Sequence, residues 1–166
     1  MKAVSLQSCI EDALLRLSMQ YSCRALSVQR SLITVQCRLP NTRLNCVLDI
    51  DDGVLPQVRF LIRFPATIDA AWCGELVLFV NLFNTHRHRH PGYWNFDLYN
   101  RELTYCYNWI TEAGGERFIL NFVRLMNDCT GTYDTVYPEI NGILSGLIDA
   151  EKAVSNYLRH TTVPLN

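Results

Sequence analysis

Catalytic signatures are what this sequence has least of. No G-x-S-x-G nucleophile elbow occurs, and Gly114-Gly115 is not followed by the Lys-Ser/Thr of a phosphate-cradling loop. Activated-serine acyl transfer and P-loop chemistry therefore lack their sequence marks, and the chain reads as a non-enzyme. No C-x-x-C pair is present among the seven cysteines Cys9, Cys23, Cys37, Cys46, Cys73, Cys106 and Cys129, whose odd number cannot be fully paired internally. Most sit inside apolar patterns, as small buried hydrophobes in a reducing cytoplasm do. Excess charge of either sign is missing too: 15 Lys plus Arg against 16 Asp plus Glu leave a net charge of -1, with no overall pull toward nucleic acid or anionic membranes. The most apolar stretch, Ala70 to Phe83, is interrupted by Glu75 and Asn81 and is shorter than the roughly 20 residues of a membrane span. After Lys2 the acidic residues Glu11 and Asp12 arrive before any signal-peptide core. The expected location is cytoplasmic, with no membrane and no nucleic acid as partner.

What is present is ample material for one core. The 166 residues are 49% hydrophobic and include 18 aromatics, three Trp, eight Tyr and seven Phe, which suits a single domain over residues 1–160 with a flexible tail at 161–166. Between Val4 and Met19, Leu6, Cys9, Ile10, Ala13, Leu14 and Leu17 recur at three- and four-residue spacing, predicting a helix. The period then falls to two. Ile33, Val35, Cys37 and Leu39 alternate with Thr34, Gln36 and Arg38 up to Pro40-Asn41, and Leu44, Cys46, Leu48 and Ile50 alternate with Arg43, Asn45 and Asp49 up to Asp51-Asp52-Gly53. Val58, Phe60, Ile62 and Phe64 follow, opposite Gln57, Arg59 and Arg63. Three antiparallel strands with one apolar and one polar face result, a sheet covered on one side.

Ile68 to Asn84 reads as a helix again, with Asp69 in its first turn. Trp72, Leu76, Phe79 and Phe83 form one stripe, but Val77, Leu78, Val80 and Leu82 add apolar surface around it, so the helix needs cover on several sides and a second subunit is the expected cover. A hairpin follows, with Trp94, Phe96 and Leu98 leading to Leu103, Tyr105, Tyr107 and Trp109. After Gly114-Gly115 come a helix from Glu116 to Asp128, another entered at Pro138 and running toward Leu144, and a last one capped by Asp149. The class is α+β, about five antiparallel strands flanked by helices in the order α-β-β-β-α-β-β-α-α, without the alternation of a parallel doubly wound fold.

Three segments carry a resemblance: Val80-Asn81-Leu82-Phe83-Asn84, Gly92-Tyr93-Trp94-Asn95-Phe96-Asp97, and Asp134 to Pro138 leading into Gly146-Leu147-Ile148-Asp149-Ala150-Glu151-Lys152-Ala153. In these, and in the order of elements, the chain resembles the YbjN-like family of bacterial sensory transduction regulators, which is similar in fold to the chaperones of type III secretion effectors. The resemblance implies a chaperone-like fold and a non-enzymatic, often dimeric, protein-binding regulator. Two departures stand out: the inserted His86-Arg87-His88-Arg89-His90 segment, and a charge near neutral where secretion chaperones are markedly acidic.

Four groups are candidates for function. His86, His88 and His90 would line one side of an extended segment, a possible transition-metal shell, although Arg87 and Arg89 disfavour a cation and no Cys, Asp or Glu lies within the segment. Asp49, Asp51, Asp52 and Gly53 read as turn chemistry because the further spaced carboxylates of a calcium loop are missing. Cys73 and Cys106 read as buried packing. The polar sheet face of Arg43, Asn45, Gln57, Arg59 and Arg63 could hold an extended or acidic peptide, with Tyr93, Tyr99, Tyr105, Tyr107 and Trp109 adding amphipathic area. The function expected is a protein-binding regulator or chaperone-like module acting as a homodimer through Trp72, Leu76, Phe79 and Phe83, with no cofactor. The alternatives are a small-ligand or metal-binding protein using the histidine segment, and an immunity or antitoxin-type binder.

Overall fold

The computed structural model describes residues 5–111 and 113–161. The first helix, α1 (Leu6–Arg16), is capped twice: the Ser5 hydroxyl accepts from the Ser8 amide, and the Asp52 carboxylate accepts from the Leu6 amide at 2.8 Å. A strand the alternation did not reveal, β1 (Tyr21–Ala25), comes next, followed by β2 (Arg30–Arg38), β3 (Arg43–Asp51) and β4 (Gln57–Arg63). A short 3-10 turn (Ala70–Trp72) leads into α2 (Cys73–Thr85), then β5 (Tyr93–Asp97) and β6 (Glu102–Ile110), and the chain ends in α3 (Glu116–Leu144) and α4 (Ala150–Thr161). All pairings are antiparallel and the strand order is β1-β2-β3-β4-β6-β5. The α+β class and the expected element order hold, with six strands instead of five. β1 carries no alternation because it is an edge strand lying mostly in solvent, so no burial pattern shaped its residues.

The helices cover one face of the sheet. Ile33, Val35, Cys46, Leu48, Val58, Phe60, Ile62, Leu103 and Tyr105 are buried there beneath Ile10 and Leu14 of α1, Phe79 and Phe83 of α2, and Phe118, Phe122 and Tyr133 of α3. Ring contacts join the layers: Phe60 meets Phe122 at 6.1 Å, Trp109 stacks on Phe118 at 5.0 Å, and Trp94 lies 5.3 Å from both Tyr105 and Tyr133. Each such large side chain, fully buried, contributes roughly 1.5–3 kcal/mol over leaving it in water.

Three expectations need correction. The helices expected at Glu116–Asp128 and from Pro138 are one helix, α3, with Pro138 inside it. Pro138 suits a first turn, which is why it reads as a start, yet here the loop between β2 and β3 supplies the hydrogen bond its ring removes. Asn41 Nδ2 donates to the Asp134 carbonyl at 3.2 Å and to the Asp134 carboxylate at 3.2 Å, and the Asn41 amide donates to the same carboxylate at 3.1 Å. Second, Leu76, Phe79 and Phe83 are buried within the subunit and do not form a dimer surface. Helix α4 supplies part of the extra cover, with Tyr157 4.9 Å from Phe83 and Glu75 Oε2 accepting from the Ala150 amide at 3.0 Å, while Leu78 stays exposed. Trp72 is half-buried and abuts the turn after α3, where an added Cβ on Gly146 would lie 3.1 Å from its ring. Third, Thr161 belongs to α4, and 162–166, the rest of the expected tail, lie outside the described residues. Asp149 caps α4 as expected, accepting from the Lys152 amide at 2.8 Å.

Candidate functional site

The uncovered face of the sheet is a grid fixed by strand register. Across it run Leu32, Asp49, Arg59 and Asn108 in one row, and Thr34, Val47, Leu61, Cys106 and Tyr93 in the next. Gln36 and Asn45 begin the third row, which Arg63, Thr104 and Asn95 continue, and Arg38 faces Arg43 at the far end of the β2-β3 hairpin. Period-two alternation puts all of these side chains opposite the core. Toward the arginine end the sheet borders an open groove of about 1360 Å³, which continues around the end of the sheet to Cys37, Leu44, Phe64 and Tyr133 on the helix-covered side. Its floor includes Val47, Leu61 and Cys106, and its rim carries Gln36, Arg38, Arg43, Asn45, Arg63, Asn95 and Thr104.

All five residues expected on this face are on it, but they divide. Arg43, Asn45 and Arg63 line the groove, whereas Gln57 and Arg59 lie outside it. Arg59 is committed to Asp49, which also takes a two-pronged contact from Arg30, Nε to Oδ1 at 2.9 Å and Nη2 to Oδ2 at 2.7 Å. The Arg30 hydrogen bond, joined by the charge of Arg59, holds the buried Asp49 carboxyl below the ordinary aspartate range even though burial works in the opposite direction. Arg63 meets Glu102 at 3.1 Å, with 68% of the arginine side chain exposed. Arg38, Gln36 and the apolar floor were not among the expected site residues. Counting back from Pro40-Asn41 would have placed Arg38 opposite Arg43, because a short hairpin turn sets the register of its strands.

The other candidates disperse. Asp51 accepts from the Gly53 amide at 2.9 Å, Asp52 caps α1 and Asp49 holds two arginines, so the three carboxylates serve separate contacts. The histidine segment is a 3-10 turn (Arg87–Arg89) and not an extended run. Its His90 turns inward, its ring 4.1 Å from Phe83, with Nδ1 2.8 Å from the Gly92 carbonyl and Nε2 3.3 Å from that of Phe83. Among the described residues no three His, Cys, Asp or Glu side chains converge. Burial pushes the Cys106 thiol up to about 11, leaving it protonated on the groove floor at neutral pH. Cys73 is half-buried at the start of α2. Of the aromatic set, Tyr105 is buried, Tyr107 and Trp109 pack on the core, Tyr93 is half-buried on the open face and Tyr99 stands in solvent.

No helix among the described residues is long and apolar enough to cross a membrane. No protein-family model matches the chain, and no curated protein matches it in sequence.

Proposed function

We propose that this chain is a non-enzymatic protein-binding module of the regulator or chaperone-like kind that the YbjN-like resemblance implies, acting in the cytoplasm, and that the grooved open face of its sheet holds an extended segment of another protein. The observation that carries the reading is the groove itself: an opening of about 1360 Å³ that runs from the sheet face on which no described helix packs around the arginine end of the sheet. Its lining mixes amide and hydroxyl groups (Gln36, Asn45, Asn95, Thr104) with an apolar floor (Val47, Leu61), the composition that recognises a peptide's backbone and side chains together. Free, mostly buried thiols suit a reducing compartment.

A photoactivatable residue placed at Gln36 and, as control, at the exposed Asn121 on α3 tests the reading in the native host. Polypeptide adducts from position 36 and none from position 121 are the expected result. Equal adducts from both positions, or none from position 36, overturn it.

A further inference from the structure

Arg38 and Arg43 stand directly opposite each other at the last register position of the β2-β3 pair, and both are exposed. Like charges in that relation repel and destabilise a hairpin. Among the described residues neither arginine has a carboxylate within ion-pair distance, in contrast to Arg30, Arg59 and Arg63 on the same face. Arg63 lies one row along on the neighbouring strand, and its exposed contact with Glu102 is of the kind that contributes little and exchanges readily. Among the described residues no Asp or Glu lines the groove that these three arginines rim. One end of the open face therefore carries concentrated positive charge in a chain whose net charge is -1.

The turn between the two arginines is held firmly. The Leu39 amide donates to the Thr42 carbonyl at 2.9 Å, and Asn41 is tied to Asp134 of α3 through its amide and side chain. Since the hairpin end is fastened to the helix layer, the repelling pair stays in register and cannot relax by fraying. Such a pair is pre-organised to grip an anion between two guanidinium forks.

Resting on the groove reading above, we infer that the Arg38–Arg43 pair is a carboxylate clamp, and that the segment held in the groove is an acidic stretch of polypeptide. Its Asp or Glu side chains meet the arginine end while its remaining residues cross the Gln36–Asn45 amide pair onto Val47 and Leu61. The apolar and amide rows favour this over nucleic acid, whose evenly spaced phosphates would leave the uncharged half of the groove unmatched and would run toward Asp49.

The probe is a 12-residue peptide alternating Glu with Val and Thr, compared with its Gln counterpart and with a single-stranded oligonucleotide on the full chain at low salt. The Glu peptide is expected to bind at least tenfold more tightly than the Gln peptide, and R38Q and R43Q each to remove that preference. Without peptide, both variants are expected to melt at or above the wild-type temperature, because each relieves the repulsion. No Glu preference, a preference untouched by R38Q and R43Q, lower melting temperatures for both variants, or tighter binding of the oligonucleotide overturns the inference. If photo-adducts at position 36 persist unchanged in an R38Q/R43Q background, the clamp falls while the groove reading stands. If position 36 gives no adduct, it is the groove reading that falls.

Discussion

Asn41 Nδ2 donates to the carbonyl of Asp134, the group four residues before Pro138 that has no helical N–H to receive, at 3.2 Å. A proline inside a helix costs about 3 kcal/mol when nothing replaces that bond. Here a loop side chain replaces it, and the same contact fastens the β2-β3 hairpin to α3.

The relationship predicts a coupled pair of substitutions. N41A should cost roughly 1–2 kcal/mol in wild type, since it removes the donor to Asp134 O and one to its carboxylate. In a P138A background the restored N–H of residue 138 takes over the carbonyl, so N41A should cost less. A double-mutant cycle by urea denaturation measures the difference, and equal costs in both backgrounds would show that the carbonyl contact contributes nothing.

Asp49 predicts an acid dependence. Its carboxyl titrates below the ordinary value of about 3.9 because Arg30 and Arg59 favour the charged form. The contribution is therefore complete above about pH 4 and is lost as pH falls through the lowered value. D49N should be less stable than wild type by roughly 1.5–3 kcal/mol at pH 7, with the gap closing toward pH 2. Thermal melts of both proteins across that range check the sign.

Three glycines separate conformational demand from packing demand. Gly146 has φ +69 after α3 and its amide and that of Leu147 close the helix end, so G146A should cost about 1–2 kcal/mol. Gly92 leaves 2.5 Å between an added Cβ and the Cys106 carbonyl, so G92A should be worse. Gly131 is helical with nothing within 4 Å, and G131A should stabilise by up to about 1 kcal/mol. Chemical denaturation ranks the three.

Thiol chemistry reports on the same packing. Burial raises Cys46 well above its ordinary range and takes Cys129 up to about 12, whereas Cys23 is exposed on the edge strand β1 despite a smaller upward push. Iodoacetamide at mildly alkaline pH should label Cys23 first and reach Cys46 and Cys129 only on unfolding, read by peptide mass spectrometry. Native-state labelling of Cys129 would contradict the packing of α3 on the sheet.

The elements with strong local period are legible in the residues alone: α1, the meander β2-β3-β4, the β5-β6 hairpin and the capped α4, together with the polar face holding Arg43, Asn45, Gln57, Arg59 and Arg63. Alternation and three-to-four spacing are local properties, and burial of one face writes them into the residues. The rest depends on contacts that exist only in the folded chain. Pro138 lies within a helix because Asn41, 93 positions earlier than Asp134, supplies a partner. Part of the apolar surface of α2 is covered by α4 of the same chain, through Tyr157 on Phe83, where the spacing along α2 alone suggested a second subunit; Leu78 stays exposed. The arginines of the polar face look equivalent in sequence, yet Arg59 is spent on Asp49 and Arg43 is set against Arg38. Contacts between residues far apart in the chain leave no period behind them, and it is those contacts that shape the groove.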